Sequence, residues 1–128
     1  MKNASEIEDL EKLIGQLQGL HAEISQLVKK SPNDALNVFK LKLVNKVIAA
    51  GNEVLKEGYR PFDDFEQFET DDMPTNSDVT MILAQYMEQS ERYRSDNVME
   101  RDYNEWVYRV NGKASSIQAA PPTKVGNK

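Results

Sequence analysis

Residues 31–58 read SPNDALNVFKLKLVNKVIAAGNEVLKEG, and this stretch decides the fold that the sequence predicts. Ser31 is a favourable N-cap, Pro32 suits the first helical position, and Gly58 can end a helix in the left-handed conformation. Between these residues, apolar side chains recur at steps of three and four and form two neighbouring columns. A helix with so wide an apolar stripe has to be covered on more than one side. We therefore predict a central helix over 32–57.

A second strong helical pattern precedes it, at 5–30. Ser5 and Glu8 form a capping-box pair, and apolar residues then alternate at three and four as in a heptad seam. Lys29 and Lys30 fall in the last turn, where positive charge suits the helix dipole. Because the connection to the central helix is short, the two helices are expected to form an antiparallel hairpin.

A third helix is predicted from residue 78. Ser77 or Asn76 would be its N-cap, and Asp78 lies in its first turn, where a carboxylate is favourable. Apolar residues from Val79 onward keep a helical spacing and define an inward stripe. This helix would pack on the hairpin and complete a small bundle.

Residues 96–110 fit two structures. Their apolar residues keep a helical spacing, which favours a fourth helix. The part at 105–110, EWVYRV, also alternates like a strand, and Asn111-Gly112 is typical of a hairpin turn. Because the following KASSIQAA is a poor strand partner, we predict the helix. Residues 111–128 are expected to form a flexible C-terminal tail.

The predicted fold class is therefore all-α. An antiparallel helical hairpin, a third helix and a fourth helix would form one small bundle. This single domain would cover 1–110, followed by the tail at 111–128. A chain of 128 residues is long enough for one hydrophobic core.

The composition predicts a cytoplasmic protein. No apolar run approaches the roughly 18 residues that a membrane-spanning helix needs, so no membrane association is expected. The acidic N-terminus lacks the apolar core of a signal peptide. The sequence contains no cysteine, which excludes disulfides, thiolate catalysis and cysteine-based metal sites.

The negative charge of the chain is concentrated at 61–78. This segment carries seven acids and no base, or −7, whereas the whole chain has a net charge of −5, so the remainder is +2. Three phenylalanines recur among the acids at three-residue steps, and Pro61 can begin a helix. This pattern predicts one or two short helical turns whose aromatic rings close one end of the bundle.

The same segment is the candidate functional site. Its acids and aromatics could bind a basic partner surface or imitate the phosphate charge of nucleic acid. It lacks the invariant glycine of a Ca²⁺-binding loop, and it could also be a connector with buried phenylalanines and solvated acids. Trp106 is added because an exposed tryptophan would suggest a binding hot spot, although a core position is the favoured interpretation. The candidate partner-binding residues are Phe62, Asp63, Asp64, Phe65, Glu66, Phe68, Glu69, Asp71, Asp72 and Trp106.

Three functions remain open. The favoured hypothesis is a non-enzymatic helical interaction or regulatory protein that self-associates as a homo-oligomer and binds a protein partner. The second is an acidic inhibitor that occupies a basic, nucleic-acid-binding surface through 61–78. The third is a Mg²⁺-dependent nucleotide pyrophosphohydrolase, for which acid pairs at i,i+3 spacing would hold the metal. These pairs are Glu8/Glu11, Glu69/Asp72 and Glu88/Glu91.

Enzymatic activity is not the favoured prediction. The sequence has no phosphate-binding, dinucleotide-binding or nucleophile-elbow motif, and a single histidine leaves little from which to build a catalytic triad. We therefore predict no catalytic residue, no cofactor and no metal site. Basic residues do not cluster with aromatics, so direct nucleic-acid binding is not expected.

Overall fold

Three α-helices are followed by a three-stranded antiparallel sheet in the computed structural model, which describes residues 1–123. The prediction of an all-α bundle is therefore wrong, because the described residues are 55% helical and 15% strand. In chain order the elements are α1 (Ala4–Lys30), α2 (Val38–Val54), a 3₁₀ helix (Thr70–Asp72), α3 (Asn76–Asp96), β1 (Val98–Asp102), β2 (Glu105–Val110) and β3 (Lys113–Gln118).

The helices begin at caps that differ from the predicted ones. The side chain of Asn3, rather than Ser5, accepts a hydrogen bond from the backbone of Glu6 at the start of α1. Thr75 and Asp78 form a reciprocal capping box at the start of α3. Each cap satisfies backbone N–H groups that lack partners within the helix.

Helix α2 begins six residues later than predicted. Its N-cap is Asn37, although Ser31 and Pro32 have the sequence of a helix start. The backbone between Pro32 and Asn37 forms tertiary hydrogen bonds instead of helical ones. Leu36 N–H donates to the carbonyl of Pro74 (2.9 Å), and the Asp34 carbonyl accepts from Asn76 N–H (2.9 Å). Backbone groups engaged in these tertiary bonds cannot also form helical ones, and this delays the helix.

The main core lies between α1, α2 and α3, and α1 contacts both other helices. The heptad seam predicted for α1 faces inward. Ile7, Leu10, Leu17 and Ile24 are buried, whereas its other members, Ile14, His21 and Val28, are half-buried. The outer side of α2 is exposed, so α1 rather than α2 is the central helix. The core consists of Leu13, Leu17, Ile24, Leu36, Leu41, Val44, Val47, Ile48, Leu55, Val79, Leu83 and Tyr86.

The sheet replaces both the predicted fourth helix and much of the predicted tail. Its strands follow in the order β1-β2-β3, and β3 lies within the predicted tail. Asn111 (φ 52°) and Gly112 (φ 77°) form the turn between β2 and β3. Positive φ at both positions is what a two-residue hairpin requires, and it would interrupt a helix. The predicted tail at 124–128 lies outside the described residues.

One face of the sheet packs on the start of α1. Ile7, Val98 and Tyr108 are buried together there. The hydroxyl of Tyr108 donates to a carboxylate oxygen of Glu11 at 3.1 Å. Burial, followed by the nearby charge of Glu11, raises the pKa of Tyr108 to about 12, so the phenol keeps its proton. The sheet and helix α1 are therefore joined by apolar contact and by a charge-assisted hydrogen bond.

Arg94 connects the residues after β3 to α3. Its guanidinium donates two hydrogen bonds of 2.7 Å to the carboxylate of Glu91. It also donates to the carbonyls of Ala120 and Pro121, each at 2.8 Å. The hydrogen bonds from Arg94 lower the pKa of Glu91 below its ordinary value. Buried guanidinium groups need such partners, and here they hold the chain after the sheet against α3.

We expect the stabilising effect of Glu91 to disappear in acid. A folded-state pKa below the unfolded value, about 4.3, stabilises the protein above that value, and the effect is lost as the pH falls through the folded-state pKa. Urea unfolding of wild type and Glu91→Gln should show a difference in unfolding free energy near neutral pH that shrinks in acid. A difference that stays constant with pH would show that the charge of Glu91 contributes nothing.

Candidate functional site

Residues 61–74, here called the acidic ledge, run along α2 in the opposite direction to the helix. Asn52, late in α2, contacts Phe65, whereas Asn45, earlier in α2, contacts Phe68. The ledge then reaches the start of α2, where Pro74 accepts the bond from Leu36. The predicted helical turns at its beginning do not form, and its only helix within the described chain is the 3₁₀ helix Thr70–Asp72.

Asn45 holds the middle of the ledge with two hydrogen bonds. Its side-chain amide donates to the carbonyl of Phe68 (3.0 Å), and its side-chain oxygen accepts from the N–H of Phe68 (2.9 Å). Both backbone groups of one residue are thus satisfied by one side chain. Asn45 and Asn52 are seven residues apart, about two helical turns, and therefore lie on the same side of α2.

Asn52 holds the ledge from a buried position. Its amide donates to the carbonyl of Phe65 at 3.0 Å, while its side-chain oxygen accepts from the hydroxyl of Tyr86 at 2.6 Å. Arg60 donates to the same Phe65 carbonyl at 2.7 Å. Burial raises the pKa of Tyr86, which keeps the hydroxyl protonated and able to donate. A chain of hydrogen bonds therefore joins α3, α2 and the ledge.

The phenylalanines of the ledge attach it to the core. Phe65 and Phe68 are half-buried against the main core, and their rings meet edge to face with centroids 5.2 Å apart. Phe62 is more exposed. Aromatic pairs in this geometry add to the stabilisation from burial. The ledge is thus held to α2 by side chains as well as by its backbone.

The carboxylates of the ledge face solvent. All six acids at 63–72 are exposed, and one of them, Glu66, pairs with Arg60 at 2.7 Å. Within residues 1–123, no lysine or arginine nitrogen lies within 4.0 Å of the other five. These five are Asp63, Asp64, Glu69, Asp71 and Asp72. The ledge therefore presents fixed negative charge that the described part of the protein does not neutralise by ion pairing.

Trp106 does not belong to this surface. It lies on β2 and packs, half-buried, against the apolar cluster formed by Ile7, Val98 and Tyr108. The structure thus brings nine of the ten candidate residues together on the ledge and places the tenth on the sheet. Of the nine, Phe65 and Phe68 anchor the ledge, and the acids with Phe62 are accessible.

An exposed face of α2 was missed from the sequence. We call it the outer face. It has apolar residues and two lysines, and the exposed acid Glu53 lies at its C-terminal boundary. Its apolar members match the helical spacing of the core, so periodicity alone assigned them to the interior. The signal that could have revealed it is the excess of apolar columns over the neighbours available to cover them. The outer face consists of Val38, Phe39, Lys42, Leu43, Lys46, Ala49 and Ala50.

The acid pairs predicted to hold Mg²⁺ do not belong to a larger cluster of metal-ligand residues in the described part of the chain. Residues 1–123 contain no group of three or more acids, histidines or cysteines placed to hold a metal ion. In two of the predicted acid pairs, one member already has a protein partner, since Glu11 accepts from Tyr108 and Glu91 from Arg94. Separately, no helix in this range is long and apolar enough to cross a membrane.

Comparison with known proteins gives no assignment, since no family model, no curated protein and no solved structure matches this chain. The chemistry of the acidic ledge and of the outer face is therefore the basis for assigning a function. Both are defined by residues that the structure describes.

Proposed function

We propose that this protein is a non-enzymatic interaction module whose acidic ledge binds a basic surface on a protein partner. The observation that supports this proposal most is that the backbone of the ledge is fixed by hydrogen bonds while most of its carboxylates form no ion pair. Asn45 and Asn52 hold the ledge, while five of its carboxylates have no ion-pair partner among residues 1–123.

Fixed charge of one sign favours binding in two ways. It attracts an oppositely charged partner over distance and so raises the association rate, an effect that salt weakens. A surface that is already ordered also loses little conformational entropy when it binds. A mobile acidic linker would have the first property without the second, so the hydrogen bonds from α2 matter for the proposal.

The exposed phenylalanine of the ledge, Phe62, adds an apolar anchor for the partner beside the charged groups. Phe62 lies next to Asp63 and Asp64 and is 37% exposed. Interfaces combine a desolvated aromatic anchor with polar groups around it, and charge alone contributes more to rate and orientation than to affinity. A partner with basic residues around an apolar depression would complement this end of the ledge.

The proposal is tested by neutralising charge on the ledge and elsewhere. The ledge variant is Asp63→Asn/Asp64→Asn/Glu69→Gln, and the matched control is Glu8→Gln/Asp9→Asn/Glu57→Gln, which removes three exposed acids from the other parts of the bundle. Proteins captured at low salt from the cells that express this chain are identified, purified and titrated with each variant.

We expect the ledge variant to lose about tenfold or more in affinity while the control stays within about twofold of wild type. Affinity of the wild type should fall as salt is raised, because these charges are exposed to solvent. Equal binding by both variants, or affinity independent of salt, would contradict the proposal.

A further inference from the structure

The outer face of α2 is a helix face without a neighbour in the described part of the protein. Phe39 is 69% exposed, Val38 50% and Leu43 37%. Apolar side chains scattered singly are common on protein surfaces, but a group within two turns of one helix is typical of an interaction surface. The face thus offers apolar contact area that the fold itself does not use.

The charge of the outer face is opposite to that of the ledge. Its lysines are Lys42 and Lys46, and no carboxylate oxygen in residues 1–123 lies within 4.0 Å of either amine. The acid at its C-terminal boundary, Glu53, is paired with Lys56 at 3.0 Å. A third lysine of α2, Lys40, is already paired with Glu23 at 2.9 Å and lies outside this face. Neither Lys42 nor Lys46 therefore forms an ion pair within the described part of the protein.

The two charged surfaces lie side by side. A groove of about 460 Å³ separates them, with Lys42 and Lys46 on the α2 side and Gln67 and Glu69 on the ledge side. Opposite charges therefore border one groove without touching across it. Asn45 bonds to Phe68, so Glu69, the next residue of the ledge, lies close to the level of the lysines on α2. At that level the groove therefore has lysines on one side and a carboxylate on the other.

This arrangement is complementary to itself. A two-fold axis that lies along the groove, between two facing molecules, keeps the lengthwise position and exchanges the two sides. It places the ledge of one copy on the outer face of the other, and both contacts form at once, as an isologous dimer requires. An axis across the groove would instead place α2 on α2 and bring lysines together.

We infer that the partner of the outer face is a second copy of this chain, bound through its acidic ledge. The inference depends on the proposed function, since it names the basic surface that the ledge binds. Lys42 and Lys46 of each copy meet the carboxylates near Glu69 and Asp71 of the other, and Phe39 and Leu43 lie beside these ion pairs. The dimer uses no residue of the sheet.

Charge reversal tests this dimer with the full chain and no other protein. One variant is Lys42→Glu/Lys46→Glu, and the other is Glu69→Lys/Asp71→Lys, with Lys30→Glu/Lys113→Glu as a matched reversal elsewhere. All six residues are exposed, so each variant should fold, which circular dichroism checks. Sedimentation equilibrium gives the mass of each protein and of the mixture of the first two.

We expect wild type and the control to dimerise with a dissociation constant that rises with salt, and each charge-reversed variant to dimerise at least about tenfold more weakly. Mixing these two variants should restore a dimer with one copy of each, because both contacts again join opposite charges. A wild type that stays monomeric, variants that dimerise like wild type, or a mixture that stays monomeric would overturn the inference.

The two proposals can fail separately. If the wild type is monomeric yet its ledge still binds an external protein in a charge-dependent way, the dimer is wrong and the proposed function stands. If no charge-dependent binding is found in either experiment, both are wrong.

Discussion

Replacing Tyr86 by alanine is expected to lower the free energy of unfolding by about 3–5 kcal/mol, as for other buried aromatic side chains. Its ring is 0% exposed and belongs to the core between the three helices. It also packs so closely on α2 that a Cβ added to Gly51 would lie 2.9 Å from it. Removing the ring would leave a cavity that neighbouring helices cannot easily close.

The measurement is equilibrium urea unfolding, with Tyr86→Phe as the matched control. The phenylalanine keeps the ring and removes the hydroxyl that donates to Asn52, so we expect a smaller loss of about 1–3 kcal/mol from the unsatisfied acceptor. An alanine variant that loses less than about 1 kcal/mol would mean that this ring is not part of a packed core.

Replacing Asn52 by alanine is expected to cost about 2–4 kcal/mol, because a buried hydroxyl loses its acceptor and a half-buried carbonyl loses one of its two donors. The hydroxyl of Tyr86 would lose its acceptor, and the carbonyl of Phe65 would keep only Arg60 as a donor. The same change should loosen the ledge, since Asn52 is the buried member of the pair that holds it. Urea unfolding gives the first effect, and amide hydrogen exchange of the ledge gives the second.

A control and a double variant separate this network from simple loss of packing. Asn37→Ala removes an exposed helix cap and should cost about 1 kcal/mol without loosening the ledge. Asn52→Ala combined with Tyr86→Phe should cost clearly less than the sum of the two single changes, because both remove the same hydrogen bond. Strictly additive losses would show that the two side chains do not interact.

The helical half of the fold could be predicted where packing follows the helical repeat. In α1, the heptad seam placed Ile7, Leu10, Leu17 and Ile24 in the interior, and all four are buried. The start of α2 could not be predicted in this way. Its sequence signals at residue 31 are good ones, but the backbone there bonds to Pro74 and to the first residues of α3, which lie about 40 residues away along the chain.

The sheet could have been predicted from the sequence. Asn111-Gly112 is a strong hairpin signal, and its positive φ angles are those that such a turn needs. The prediction gave more weight to the poor strand propensity of residues 113–118 than to this turn signal, and it was wrong. Strand β3 gains its stability by pairing with β2 and not from its own composition. Local turn chemistry was the better guide than the propensity of the partner strand.

The position of the candidate site in the sequence could be predicted, but the path of its backbone could not. Charge and aromatic content mark 61–78 in the sequence, since they need no knowledge of the fold. The extended path of the ledge depends on Asn45 and Asn52, whose bonds reach 23 and 13 residues along the chain. No periodicity encodes such side-chain-to-backbone contacts, and the exposure of Phe39 depends equally on which neighbours α2 lacks.

Backbone ¹⁵N relaxation of the ledge is the most direct test of the central claim that this acidic surface is fixed. We expect order parameters of about 0.85 for Phe65 through Glu69, similar to those of α2. The reason is that backbone groups of Phe65 and Phe68 are hydrogen-bonded to the side chains of Asn52 and Asn45. Values below about 0.6, typical of flexible segments, would show a mobile acidic linker and contradict a preformed binding surface.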